Sequence, residues 1–126
     1  MITVVAAVMF DSERRVLLCS RPEGKPPAGW EFPGGKVEKG EAFGAALERE
    51  LLEELELKGR SGSEIACVTA DPVELHFMLF TPEEGAVIRP REGQTFRWQC
   101  VEGEMPSDLL ANDRPVWEIL KKIKNN

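Results

Sequence analysis

The chain has 126 residues, 42% apolar and 30% charged, a composition that suits one packed domain over residues 1–126 and excludes collagen, coiled coil and long disorder. Its 22 acidic and 16 basic residues leave a net charge of −6, which disfavours a nucleic-acid polymer as partner. No apolar run approaches the ~20 residues of a membrane span, and the opening segment lacks the basic start of a secretory signal, so no membrane partner and a cytoplasmic location are expected.

Residues 2–10 are β-rich and apolar on both faces, the pattern of a central strand. A polar turn and a short strand at 16–20 follow, so a hairpin is expected. Pro22, Gly24, Pro26, Pro27 and Gly29 make 21–29 a loop. Trp30-Glu31-Phe32 is a brief extended piece, broken by Pro33-Gly34-Gly35. Residues 42–57 have helical periodicity, with Leu47, Leu51 and Leu55 as one buried stripe. Extended segments are expected at 64–70, 73–80, 86–88 and 95–101. A last helix is expected over 113–124, with Asn112 as N-cap and Pro115 in the first turn. The sum is an α+β domain, a mixed sheet with at least two helices packed on it.

Cys19, Cys67 and Cys100 are odd in number and widely spaced, and His76 is the only histidine, so neither a disulfide framework nor a zinc site is expected. The three thiols are read as reduced and in or near the core. His76, on an alternating strand, reads as a packed structural residue.

The first helix carries Glu50, Glu53 and Glu54 at i, i+3, i+4, a spacing at which like charges repel. The cluster borders the leucine stripe, whereas Glu48 and Glu56 point more toward solvent. A solvated acidic face is the ordinary reading of such a helix. The other is a divalent-cation site, since carboxylate oxygens suit Mg²⁺ or Mn²⁺. Arg49 and Glu53 are i, i+4 and can pair. Gly34-Gly35 in front of the helix can turn tightly near an anion, with Lys36 and Lys39 beside it.

Gly35, Glu41 and Arg49-Glu50-Leu51-Leu52-Glu53-Glu54 resemble the Nudix box, G-x5-E-x7-R-E-U-x-E-E-x-G-U, where U is aliphatic. Glu56 stands where that pattern has its last glycine, and Leu57 fills the final aliphatic place. A left-handed cap is difficult for glutamate, so the helix is expected to run on toward Gly59. Arg21-Pro22, the run from Trp30 to Glu38, Arg91-Glu92-Gly93-Gln94 and the run from Leu110 to Val116 are similar to the MutT-type subgroup of that family.

The resemblance implies an α/β/α sandwich around a mixed sheet and a Mg²⁺-dependent pyrophosphohydrolase, with Mn²⁺ as a substitute. Glu50, Glu53 and Glu54 would hold the metal, Glu50 being also the candidate base. Gly35 would contribute its backbone and Glu92 an off-helix carboxylate. Arg21 and Lys36 would contact phosphates. Glu41 and Arg49 would order the loop and the catalytic carboxylates. Asn112 would read the base edge, with Phe32 and either Met78 or Phe80 as walls; Asp108 and Asp113 are expected to cap or to lie at the surface. The substrate implied is a small nucleotide, cleaved at the β-phosphorus to a nucleoside monophosphate and pyrophosphate, with an oxidised purine such as 8-oxo-dGTP foremost. CTP or dCTP is the alternative, and a non-catalytic nucleotide-binding module a more distant one. A monomer or homodimer is expected.

Overall fold

Alternation of apolar residues along the first two strands decides the architecture, seen in a computed structural model that describes residues 1–22 and 24–123. β1 (Ile2–Val8) sends Val5 and Ala7 to one face and Ala6 and Val8 to the other, and all four are buried. β2 (Arg15–Ser20) does the same with Leu17 and Cys19 against Val16 and Leu18. Strands apolar on both faces need cover on both, and two core clusters supply it.

β3 (Trp30–Glu31) and β4 (Gly34–Lys36) precede α1 (Phe43–Leu55). β5 (Gly59–Ala70), β6 (Val73–Pro82) and β7 (Phe96–Cys100) follow. A 3₁₀ helix (Ala111–Val116) then runs into α2 (Trp117–Lys122). A four-stranded mixed sheet has the order β4-β1-β6-β5, with β1 and β6 parallel. A three-stranded antiparallel sheet has the order β3-β2-β7. Leu47, Leu51 and Leu55 of α1 pack on Val5, Ala7, Leu17, Met78 and Phe80. Trp117 and Leu120 of α2 pack on the opposite side with Ala6, Leu18, Phe32 and Phe77. This is the α+β sandwich expected, helices on both sides of strands. Among the described residues no helix is long and apolar enough to cross a membrane.

Several local expectations are corrected. The first two strands do not form a simple hairpin. They meet at the Phe10–Val16 bridge and then part into different sheets, because both edges of β1 are taken by β4 and β6. Gly34 and Gly35 do not break the chain; they form β4, where a Cβ on Gly34 would overlap the Val5 carbonyl oxygen. β5 begins at Gly59 rather than at 64. Residues 86–88 form no strand; Val87 is exposed, and Arg89 N–H is bonded to the Leu55 carbonyl at the end of α1. The helix does not run on to Gly59. It ends at Leu55, and Glu56 takes the left-handed conformation (φ 52°), with its own N–H and that of Leu57 donating to Leu52 O and Leu51 O.

Asn112 is no N-cap. It lies exposed inside the 3₁₀ helix, whose cap is Leu110, and the α-helix begins only at Trp117. Of the helix expected over 113–124, Lys124 lies outside the described residues. Cys19 is buried, but Cys67 and Cys100 are exposed, since edge strands β5 and β7 leave one face of each uncovered.

Candidate active site

The acidic residues of α1 face β4 across the glycine pair. A Cβ on Gly35 would fall on the Glu50 carboxyl group, so only glycine lets that carboxylate lie against the strand. Arg49 organises the cluster from the side. Its Nε and Nη2 donate to Glu41 at 2.7 and 2.9 Å, its Nη1 to Glu50 at 3.0 Å and Glu53 at 3.2 Å, and its Nη2 also to the Lys36 carbonyl at 3.1 Å. One guanidinium thus ties the loop before α1, the strand β4 and two carboxylates together, which a single ammonium charge lacks the donor geometry to do. Glu41 is held down to about 2 by its Arg49 hydrogen bonds and the Glu38 N–H.

Beside this cluster a cavity of about 290 Å³ opens between the two sheets. Gly35, Lys36, Glu54, Glu92, Arg21 and Phe32 line it. Burial, and then repulsion from Glu50, Glu92, Glu31 and Glu53, pushes the Glu54 carboxyl up to about 8. Glu50 is raised as well, chiefly by burial and against the pull of Arg49. Like charges gathered at a partly buried cavity, with carboxylate oxygens as the donors of the cluster, fit a hard divalent cation. Glu50, Glu53, Glu54 and Glu92 are the side chains that could hold it, with the backbone at Gly35. Opposite them Arg21 reaches Glu31 at 3.5 Å and the Pro26 carbonyl at 3.4 Å, while its buried Nε has no protein partner. That donor and the Lys36 head are cationic groups at the same cavity.

Arg21, Phe32, Gly35, Lys36, Glu54 and Glu92 line the cavity, and Arg49, Glu50 and Glu53 lie beside it against Gly35 and one another. The structure does not bring Met78, Phe80 or Asn112 there. Met78 and Phe80 face α1 within its core cluster, because β6 alternation turns them away from the cavity. Asn112 is exposed, and its neighbour Asp113 takes the inward position. Asp113 is 4% exposed, accepts the Phe32 N–H at 2.8 Å, and is pushed up to about 7 by burial. Glu31, raised by burial against Arg21, and Gln94, whose Oε1 accepts the Glu92 N–H at 2.8 Å, also line the cavity. No signal in residue order pointed to Glu31 or Asp113: strand alternation would turn Glu31 to the face opposite its neighbour Phe32, and for Asp113 the 3₁₀ geometry decides which side chain turns in. Asp108 stays at the surface, paired with Arg97 at 2.9 Å. Glu48 is not free in solvent but accepts the Ser61 N–H and hydroxyl at 3.0 and 2.9 Å.

Residues 2–119 match the family described as NUDIX domain. The chain belongs to the Nudix family. It is a MutT-type Nudix hydrolase, an enzyme acting on phosphoric anhydrides. It is 33% identical to the CTP pyrophosphohydrolase of Escherichia coli (strain K12), over 98% of this chain and 94% of that one. It is 41% identical to an 8-oxo-dGTP diphosphatase of Buchnera aphidicola subsp. Acyrthosiphon pisum, over 74% of this chain and 77% of the relative. Among solved structures, a MutT protein described for Aliivibrio salmonicida and Vibrio cholerae superposes with TM-score 0.76 and 30% identity, covering 97% of this chain and 98% of that one. The chain is therefore a Nudix nucleotide pyrophosphohydrolase.

Proposed function

We propose that this Nudix domain hydrolyses nucleoside triphosphates with Mg²⁺, releasing a nucleoside monophosphate and pyrophosphate, and that its base site favours cytosine, as in CTP or dCTP. The observation that carries the base preference is Asp113, buried at the cavity with its carboxyl pushed up to about 7. A neutral carboxylic acid presents one donor and one acceptor. Cytosine offers the matching pair, a ring-nitrogen acceptor beside an amino donor. Phe32, whose N–H holds Asp113, supplies an apolar wall at the same cavity. The relative named CTP pyrophosphohydrolase, matched over nearly the whole of both chains, supports the same reading.

A bound divalent ion supplies charge neutralisation on phosphate oxygens and lowers the pKa of the attacking water. The chain's own groups do the rest. Glu50, Glu53, Glu54 and Glu92 hold the ion, and Arg49 fixes Glu50 and Glu53 in orientation. Arg21 and Lys36 bind the phosphate chain so that the β-phosphorus faces the carboxylates. Without an ion, Glu54 holds its proton at neutral pH.

An oxidised purine such as 8-oxo-dGTP is the second reading. Relatives named 8-oxo-dGTP diphosphatase favour it, and an ionised Asp113 could accept two N–H donors from a guanine-type edge. Pyrophosphate release from CTP, dCTP, dGTP, 8-oxo-dGTP and a nucleotide sugar separates the two, with Glu53→Gln as control. CTP or dCTP is expected to lead below about pH 7 and to lose ground as Asp113 ionises. An 8-oxo-dGTP preference at every pH overturns the base assignment, and silence across the panel overturns the hydrolytic reading.

A further inference from the structure

A second group of ligating side chains lies two strands across the sheet from Gly35, at the far end of the α1 face. His76 of β6 pairs with Cys67 of β5, so their side chains share that face, and Glu74 joins them two residues along β6. One ligand atom from each of Cys67, Glu74 and His76 lies within 4.8 Å of the other two. Glu64 completes the group, with Oε1 2.5 Å from His76 Nδ1; Glu74 Oε1 is 2.6 Å from Nε2.

We propose that Cys67, Glu74 and His76 form a second metal site, for a borderline-soft divalent cation of the Zn²⁺ type, independent of the carboxylate cluster on α1. Three observations converge on it. The register of β5 against β6 shifts between Ser61 and Ala66. Glu64 and Cys67 are three residues apart and would point to opposite faces of a regular strand; the bulge turns both toward His76. The hydrogen bond from Nδ1 to Glu64 is the second arrangement, since a ligating histidine usually donates its other ring N–H to a carboxylate, which leaves Nε2 for the metal. The Phe43 ring, 4.4 Å from the imidazole, closes one side, while Cys67 leaves the other open to solvent.

The charge balance agrees. The only ion pairs of Glu64 and Glu74 among the described residues are with His76, so two carboxylates share one imidazole. A thiolate added to them calls for a dication. Tetrahedral zinc with bonds of 2.0–2.3 Å sets its ligands ~3–4 Å apart. Rotation of Glu74 off Nε2 and small side-chain shifts bring the three atoms to that spacing. Thiolate and imidazole select Zn²⁺ over Mg²⁺. Sequence spacing hides the site: positions 67, 74 and 76 form no familiar ligand motif and meet only through strand pairing.

Co²⁺ is the probe, added to the full chain in saturating Mg²⁺. A near-ultraviolet thiolate-to-cobalt absorption is expected at one equivalent, displaced by Zn²⁺ but not by more Mg²⁺, and strengthening with pH as the Cys67 proton is released. Cys67→Ser should abolish it and Cys100→Ser preserve it. Glu64→Gln should weaken Co²⁺ binding ~10–100-fold, a change that a role confined to packing would not produce. Thermal unfolding of each variant separates loss of the site from loss of fold. Absence of a thiolate band in the folded protein, its survival in Cys67→Ser, or its removal by Mg²⁺ would each overturn the proposal.

Discussion

Asp113→Asn tests how the cavity is built. The carboxyl goes from an ordinary 3.8 to about 7 in the folded chain, with burial as the first cause and Glu31 adding repulsion. Each factor of ten in acidity is about 1.4 kcal/mol, so the whole change is worth about 4 kcal/mol. The sign follows from proton counting. Between about pH 4 and pH 7 the folded chain keeps a proton that the unfolded chain has lost, so stability falls as pH rises. The contribution is full below 3.8 and gone once pH passes through 7; about 2–3 kcal/mol of it is lost between pH 5 and pH 8. An asparagine keeps the oxygen that accepts the Phe32 N–H but does not titrate. Denaturant unfolding in EDTA at both pH values is the assay. Asp113→Asn should match the parent within ~1 kcal/mol at pH 5 and exceed it by about 2–3 kcal/mol at pH 8. Equal loss of stability in the two proteins from pH 5 to pH 8 would refute the buried, proton-holding carboxyl.

Gly35→Ala should retain the fold but lose most pyrophosphate release, because its Cβ displaces the mobile end of Glu50; Gly34→Ala should instead lower the unfolding midpoint, because its Cβ meets the Val5 carbonyl of the backbone. Glu56→Gly should stabilise the domain by about 0.5–1 kcal/mol in denaturant unfolding, since glycine relieves the left-handed cap at some entropic cost. The exposed Arg91–Glu56 pair at 3.5 Å offsets little of that. Arg49→Lys should cut kcat by ~10–100-fold, with a smaller effect on stability, as outer partners of metal ligands do.

The acidic cluster and its glycine were legible because they are local: i, i+3, i+4 on a helix and a short loop before it. The leucine stripe was legible for the same reason. The division into two sheets was not, because it depends on which strands compete for the edges of β1. Residues 86–88 carry strand-like side chains, yet they join no strand, and the chain after them is tied to the end of α1 through the Arg89 N–H. At 112–113 a single position separates a surface amide from a buried acid, and residue type favoured the wrong one as a cap. The shift in β5 that gathers Cys67, Glu64 and His76 has no signature in residue order at all.

The end of α1 has a further consequence. Leu55 O and Glu54 O accept the N–H groups of Arg89 and Arg91, so the segment bearing Glu92 is moored to the same helix turn that bears Glu54. The two carboxylates therefore keep a common frame whatever happens upstream. Between β6 and that mooring, residues 83–87 form an exposed bend that takes no part in lining the cavity. This is where the chain can acquire insertions, an affinity tag or a regulatory module while the spacing of its anionic centre stays unchanged.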